Sequence, residues 1–98
     1  MATTKEQLIA GLNQDLALEL GAAIRYLQQT SMALGIDGEE VREILRPDIA
    51  AEMKHAEFLA DKIVALGGRP AFKPTPFDER TDVKAMLEYD RKLEWEAV

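Results

Sequence analysis

The sequence contains no cysteine, which excludes disulfide bonds, thiolate metal sites and thiol catalysis. It also lacks a basic excess: the formal net charge is −6 and the pI is about 4.7. This balance argues against nucleic acid or an anionic membrane surface as a partner. The opening residues, MATTKEQL, lack the apolar run of a signal peptide, and no stretch is apolar for long enough to span a bilayer. We therefore expect a cytoplasmic protein without a membrane partner.

The composition is typical of one globular domain. Of the 98 residues, 47% are hydrophobic and 31% are charged, a balance that supports a packed core rather than a disordered chain. We expect residues 1–98 to form a single helical domain.

Apolar residues at three- and four-residue steps predict a first helix over residues 4–34. Thr4 and Gln7 form a candidate capping box at its start, and Gly35 is a natural stop. The apolar stripe consists of Leu8, Leu12, Leu16, Leu20, Ala23, Ile24 and Leu27. The short turn GIDG at 35–38 would return the next helix antiparallel beside the first.

The second helix is predicted over residues 38–66, ending at the glycine pair 67–68. Pro47 lies inside it and leaves two alternatives. Either the helix is kinked just before Glu52, or a short helix ends near Leu45 and a new one starts with Pro47 in its first turn.

Residues 67–81, GGRPAFKPTPFDERT, hold three of the four prolines and predict an extended loop. A helix of about 28 residues is about 42 Å long, and about 15 extended residues can span about 50 Å. The loop can thus run the length of helix two and start a third helix parallel to it. That helix is predicted over 82–98 with Thr81 or Asp82 as N-cap. Its pattern is still running at Val98, so we expect a truncated bundle or a face covered by another chain.

Each predicted helix carries a glutamate within its apolar stripe: Glu19, Glu52 and Glu94. A buried, unpaired carboxylate costs several kcal/mol or must take up a proton, unless a cation lies beside it. His55, the single histidine, follows Glu52 by three residues and shares its helix face. Carboxylate oxygen and imidazole nitrogen suit iron or manganese, whereas the lack of thiolate disfavours structural zinc.

Each of these residues has a simpler interpretation when it is taken alone. Glu-x-x-His also describes an ordinary surface pair or a satisfied core histidine. Glu19 fits a salt bridge with Arg25 or Lys54, and Glu94 fits a solvated charge. A glutamate within the apolar stripe of all three helices, however, favours the metal site.

Three segments resemble helices one to three of bacterioferritin and related ferritin-like proteins: DLALELGAAIRYLQQ (15–29), IAAEMKHAEFLADKIVALGGRP (49–70) and DVKAMLEYDRKLEWE (82–96). The most specific piece is EMKHA (52–56), with its leucine-rich turn and GGRP exit. The resemblance implies an all-α, ferritin-like antiparallel bundle, truncated within the third helix. It also implies a di-iron ferroxidase centre whose catalytic metal ligands are Glu19, Glu52, His55 and Glu94. The second Glu-x-x-His of the family's fourth helix has no counterpart in these residues.

Two further residues carry roles that the resemblance implies. Tyr26, seven residues after Glu19, would lie beside the metals; the alternative is a core tyrosine with a hydrogen-bonded hydroxyl. Met53 would be an axial ligand of haem b at a two-fold dimer interface; the alternative is an interface methionine.

Three hypotheses about function result. The resemblance implies a subunit of a homo-oligomer that oxidises ferrous iron with dioxygen or peroxide and stores it. A second hypothesis builds the metal site across a homodimer from two copies of the first helical hairpin, an arrangement similar to encapsulated ferritins. A third is a non-enzymatic helical interaction module whose acids form salt bridges.

Overall fold

The computed structural model describes residues 3–35 and 38–97, with only the backbone of 96 and 97. Three helices follow one another: α1 (Lys5–Met32), α2 (Gly38–Ala65) and α3 (Val83–Ala97). The all-α prediction is confirmed, and the described ends of the helices lie within two residues of those that the periodicity predicts. Residues 36 and 37 of the turn, and Val98, lie outside the described residues. None of the helices, over the residues described, is long and apolar enough to cross a membrane.

The start of α1 is fixed by the capping box that the sequence predicts. The Gln7 amide donates to Thr4 Oγ1 (3.1 Å), and the Thr4 amide donates to Gln7 Oε1 (2.9 Å). These two bonds satisfy donors that the first turn of a helix leaves free.

Pro47 lies inside α2, which continues unbroken from Gly38 to Ala65, so the alternative of two separate helices is wrong. Proline has no N–H to donate to the Glu43 carbonyl, and Pro47 and Glu43 are both exposed residues. The helix ends where Gly67 takes a positive φ of 86°, and the Gly68 amide donates to the Ile63 carbonyl (2.9 Å).

The segment between α2 and α3 crosses the length of the hairpin, as predicted. Among the described residues, four hydrogen bonds tie it to α1, and their α1 ends advance along the helix as the loop proceeds. They join Asn13 Nδ2 to the Arg69 carbonyl (3.2 Å), the Ala71 amide to Asn13 Oδ1 (2.8 Å), the Thr75 amide to the Ala17 carbonyl (3.0 Å) and Gln28 Nε2 to the Arg80 carbonyl (3.2 Å). The loop therefore delivers α3 to the end of the hairpin where α1 finishes.

From there α3 runs back antiparallel to α1 and parallel to α2. Its N-cap is Asp82, whose carboxylate accepts the Ala85 amide (3.0 Å). Val83 packs against the cluster that contains Tyr26 and Ala33 of α1. Glu94, later on α3, borders the same cavity as Glu19, which lies earlier on α1.

The hairpin core consists of two separate apolar clusters. One comprises Tyr26, Ala33, Val41 and Leu45, with Ala22, Ile49 and Val83 packed against it. The other comprises Leu16, Ala56 and Ile63, with Ile9, Leu12, Leu20, Leu59 and Ala60 packed against it. In sequence, Glu19 falls between the buried members Leu16 and Tyr26 on α1, and Glu52 falls between Leu45 and Ala56 on α2.

Candidate metal centre

The antiparallel pairing of α1 and α2 brings Glu19, Glu52 and His55 together. One ligand atom from each of the three side chains lies within 4.8 Å of the others. His55 Nδ1 lies 3.5 Å from Glu19 Oε2 and 4.0 Å from Glu52 Oε2. Glu52 and His55 are one turn apart on α2, so both reach toward the same point on α1.

The three side chains of this cluster are buried to different extents. The side chains of Glu52 and Glu19 are 22% and 30% exposed, whereas that of His55 is 63% exposed. Glu19 Oε2 is itself buried and accepts no hydrogen bond from the described residues. An orphaned carboxylate oxygen beside a second carboxylate and an imidazole is the donor set that a cation fits.

The ion-pair alternative for Glu19 is only partly right. Arg25 pairs with Asp90 of α3, not with Glu19. Glu19 instead lies beside His55, with Nδ1 3.5 Å from Glu19 Oε2, and no lysine or arginine among the described residues is paired with it. The carboxylate therefore retains the capacity to bind a positive ion.

Glu94 lies outside the three-residue cluster and is exposed. It nevertheless lines a cavity of about 650 Å³ that Glu19 and Glu52 also line, and the loop residues Thr75 to Phe77 form another wall. The structure thus brings Glu94 to the border of the candidate centre without placing it among the ligand atoms.

Tyr26 is buried and borders the larger cavity, and its role beside a metal stays a prediction. It belongs to the apolar cluster at 8% exposure, and it lines the same cavity as Glu19 and Glu94. Burial raises the pKa of its phenol, and the nearby charges of Asp90 and Glu94 act in the same direction.

A second cavity, of about 300 Å³, opens on the other side of Glu19. It is lined by Asp15, Leu18, Glu19, His55, Phe58 and Leu59. Met53 lines neither of these two cavities and is 49% exposed, so the haem prediction finds no support here.

A buried polar network near the centre was not predicted. Asp90 Oδ1 accepts from Arg25 Nε (2.9 Å) and from Gln29 Nε2 (2.7 Å), and all three residues are buried. Burial raises the pKa of Asp90, while the bonds from Gln29 and Arg25 oppose the rise. The available signal was Asp90 itself, an acid on the apolar stripe of α3 one turn before Glu94.

Comparison with known proteins supports the fold and gives the family. The family model for the ferritin-like domain matches residues 9–98, and the chain belongs to that family. It is 33% identical over 88 residues to the bacterial ferritin of Pseudomonas aeruginosa, covering 90% of this chain and 57% of that protein. It is 31% identical over 94 residues to the bacterioferritin of Streptomyces coelicolor, covering 94% of this chain and 56% of that protein.

A solved structure gives the same result for the fold. The crystal structure of ferritin like, diiron-carboxylate proteins from Bacillus anthracis str. Ames matches with a TM-score of 0.89 and 38% identity, covering 98% of this chain and 69% of that chain. The family resemblance predicted from the sequence is therefore confirmed. The chain spans a little over half the length of the curated relatives, at 57% and 56%.

Proposed function

We propose that the chain binds ferrous iron as substrate at Glu19, Glu52 and His55, with Glu94 as a further ligand, and promotes its oxidation for storage. The observation that carries the proposal is the buried Glu19 oxygen that accepts no hydrogen bond from the described residues, with ligand atoms of Glu52 and His55 within 4.8 Å. The diiron-carboxylate description of the similar solved structure supports iron as the metal.

Each side chain has a defined part in this function. Glu19 and Glu52 supply anionic oxygens from facing helices, which neutralise the charge of the bound ion. His55 supplies a neutral nitrogen, and Nδ1 is the atom that faces both carboxylates. Oxidation removes one electron from each ferrous ion and passes it to dioxygen or peroxide, and the protein sets ligand number and geometry.

Self-association is a further part of the proposal. Leu18 and Phe58 line the smaller cavity, of about 300 Å³, and are 53% and 65% exposed, which is the kind of apolar surface that a partner covers. A second copy of this hairpin would also add ligands to those of one chain. We place the activity in the cytoplasm, and haem is not part of the proposal because Met53 lies outside both cavities.

The test is anaerobic titration with ferrous iron, followed by exposure to dioxygen and optical detection of ferric product. Glu52→Gln and His55→Ala should each weaken iron binding by more than about 10-fold, since loss of even an outer partner of a ligand costs that much. Glu57→Gln is the matched control, because Glu57 is an exposed acid on the same helix outside the cluster.

The proposal would be wrong if the Glu52→Gln and Glu57→Gln variants bound equal amounts of iron. Repeating the titration over a range of protein concentrations tests self-association. Iron occupancy that rises with protein concentration supports a site shared between copies, and constant occupancy supports a site within one chain.

A further inference from the structure

Arg25 occupies an unusual position for a cation. Among the described residues that line the two cavities, it is the one lysine or arginine, and it shares the larger cavity with Glu19, Glu52 and Glu94. It is 8% exposed, so its charge is held inside the protein. Arginine pairs strongly with carboxylates because its planar fork matches their geometry. A free guanidinium here would compete with ferrous iron for the same oxygens.

The structure shows what keeps this guanidinium away. Arg25 Nε donates to Asp90 Oδ1 on α3 (2.9 Å), and its guanidinium carbon lies 4.9 Å from the centre of the Tyr26 ring. Gln29 Nε2 donates to the same Asp90 oxygen (2.7 Å), which fixes the carboxylate from a second direction. Glu19 Oε2, by contrast, has no hydrogen-bond donor among the described residues.

We propose that Asp90 is a positioning residue for the metal centre: it holds the Arg25 guanidinium on α3 and so leaves the carboxylates of the centre free for ferrous iron. This inference rests on the proposed function. It differs from a purely structural role, in which the Arg25–Asp90 pair only ties α1 to α3.

The two roles predict different results for the two halves of the pair. If Asp90 sequesters Arg25, Asp90→Asn weakens iron binding because the guanidinium is released toward Glu19. Arg25→Gln removes the competing cation and leaves iron binding intact or tighter. If the pair is only a tie between helices, either substitution breaks it and both weaken iron binding alike.

The experiment is anaerobic ferrous iron titration of the wild type, Asp90→Asn, Arg25→Gln and the double variant. We expect Asp90→Asn to lose affinity by about 10-fold, as for other groups that act through a ligand. The double variant should recover most of that loss, because a neutral amide pair replaces the buried ion pair. Helix content and thermal midpoint, measured for each, show whether affinity follows stability instead.

Unchanged affinity in Asp90→Asn, or a double variant that binds as weakly as Asp90→Asn, would overturn the inference. So would a loss in Arg25→Gln equal to that in Asp90→Asn, a comparison that holds even if the double variant does not fold. Glu52→Gln is measured beside them as a separate check of the proposed function. If it binds iron as the wild type does, the proposed function fails and this inference fails with it.

Discussion

Replacing Gly21 by alanine should destabilise the protein, although the same change at Gly11 should stabilise it. Both glycines lie within α1. A Cβ on Gly21 would lie 2.7 Å from the Thr75 carbonyl oxygen and 3.1 Å from the Thr75 nitrogen, both backbone atoms of the crossover loop. A Cβ on Gly11 would meet nothing within 4 Å. The pair therefore separates the contact with the loop from the intrinsic preference of the helix.

The magnitudes follow from these contacts. Alanine gains about 1 kcal/mol over glycine in a helix interior, and this gain applies at both positions. At Gly21 the overpacking costs about 1–3 kcal/mol. The displaced loop also loses much of the hydrogen bond from the Thr75 amide to the Ala17 carbonyl, worth about 1 kcal/mol. The net loss at Gly21 is thus about 1–3 kcal/mol, against a gain of about 1 kcal/mol at Gly11.

Urea unfolding followed by far-ultraviolet circular dichroism measures both free energies, provided that the denaturant slope is unchanged. The two variants should differ by about 2–4 kcal/mol, in favour of Gly11→Ala. If Gly21→Ala proved at least as stable as Gly11→Ala, the crossover loop would not lie against α1 at this point. The path of the loop, and the wall that it gives to the larger cavity, would then be wrong.

Two further predictions concern the core and the buried acid. Ile63→Ala should lower the free energy of unfolding by about 2–5 kcal/mol, because Ile63 is 0% exposed. Val64→Ala, at a 59% exposed position, should change it by less than about 0.5 kcal/mol. Equal losses in the two variants would contradict the assigned core. Burial raises the pKa of Asp90 above the ordinary value of 3.8, so its stabilising contribution is complete below pH 3.8 and declines as the pH rises through the raised pKa. The stability of the wild type relative to Asp90→Asn should therefore fall over that window in urea titrations at successive pH values, and a rise would refute the assignment.

The helices were predictable because their signals are local. Periodicity, the Thr4 capping box and the glycines after α2 each act within a few residues. Local signals did not settle whether the second helix is interrupted at Pro47. A proline removes one backbone hydrogen bond, and whether the helix breaks depends on its surroundings; here Pro47 and Glu43 are both exposed and the helix continues.

The candidate centre was predictable to the extent that local spacing determines it. Glu52 and His55 share a helix face whatever the fold, and a short turn then brings α1 and its Glu19 alongside. Glu94 depends on the register of α3, which is set by a crossover loop whose docking on α1 the sequence does not encode locally. The Arg25–Asp90 pair was missed for the same reason, since the partners are 65 residues apart.

Under the proposed function, the position of the carboxylates beside two apolar clusters predicts that cation binding stabilises the fold. Without a cation, Glu19 keeps a buried oxygen that accepts no hydrogen bond from the described residues. The part of the hairpin around Glu19 and Glu52 therefore contributes less to the free energy of unfolding than the two apolar clusters do. The cost is tolerable because His55 is 63% exposed and both cavities admit solvent near the carboxylates. A cation that binds only the folded chain would stabilise it by about 2.7 kcal/mol in total when its free concentration is 100-fold above Kd. If the proposed function holds, the chain should therefore be more stable with a cation bound, and the exposed side of His55 is where we expect the ion to enter.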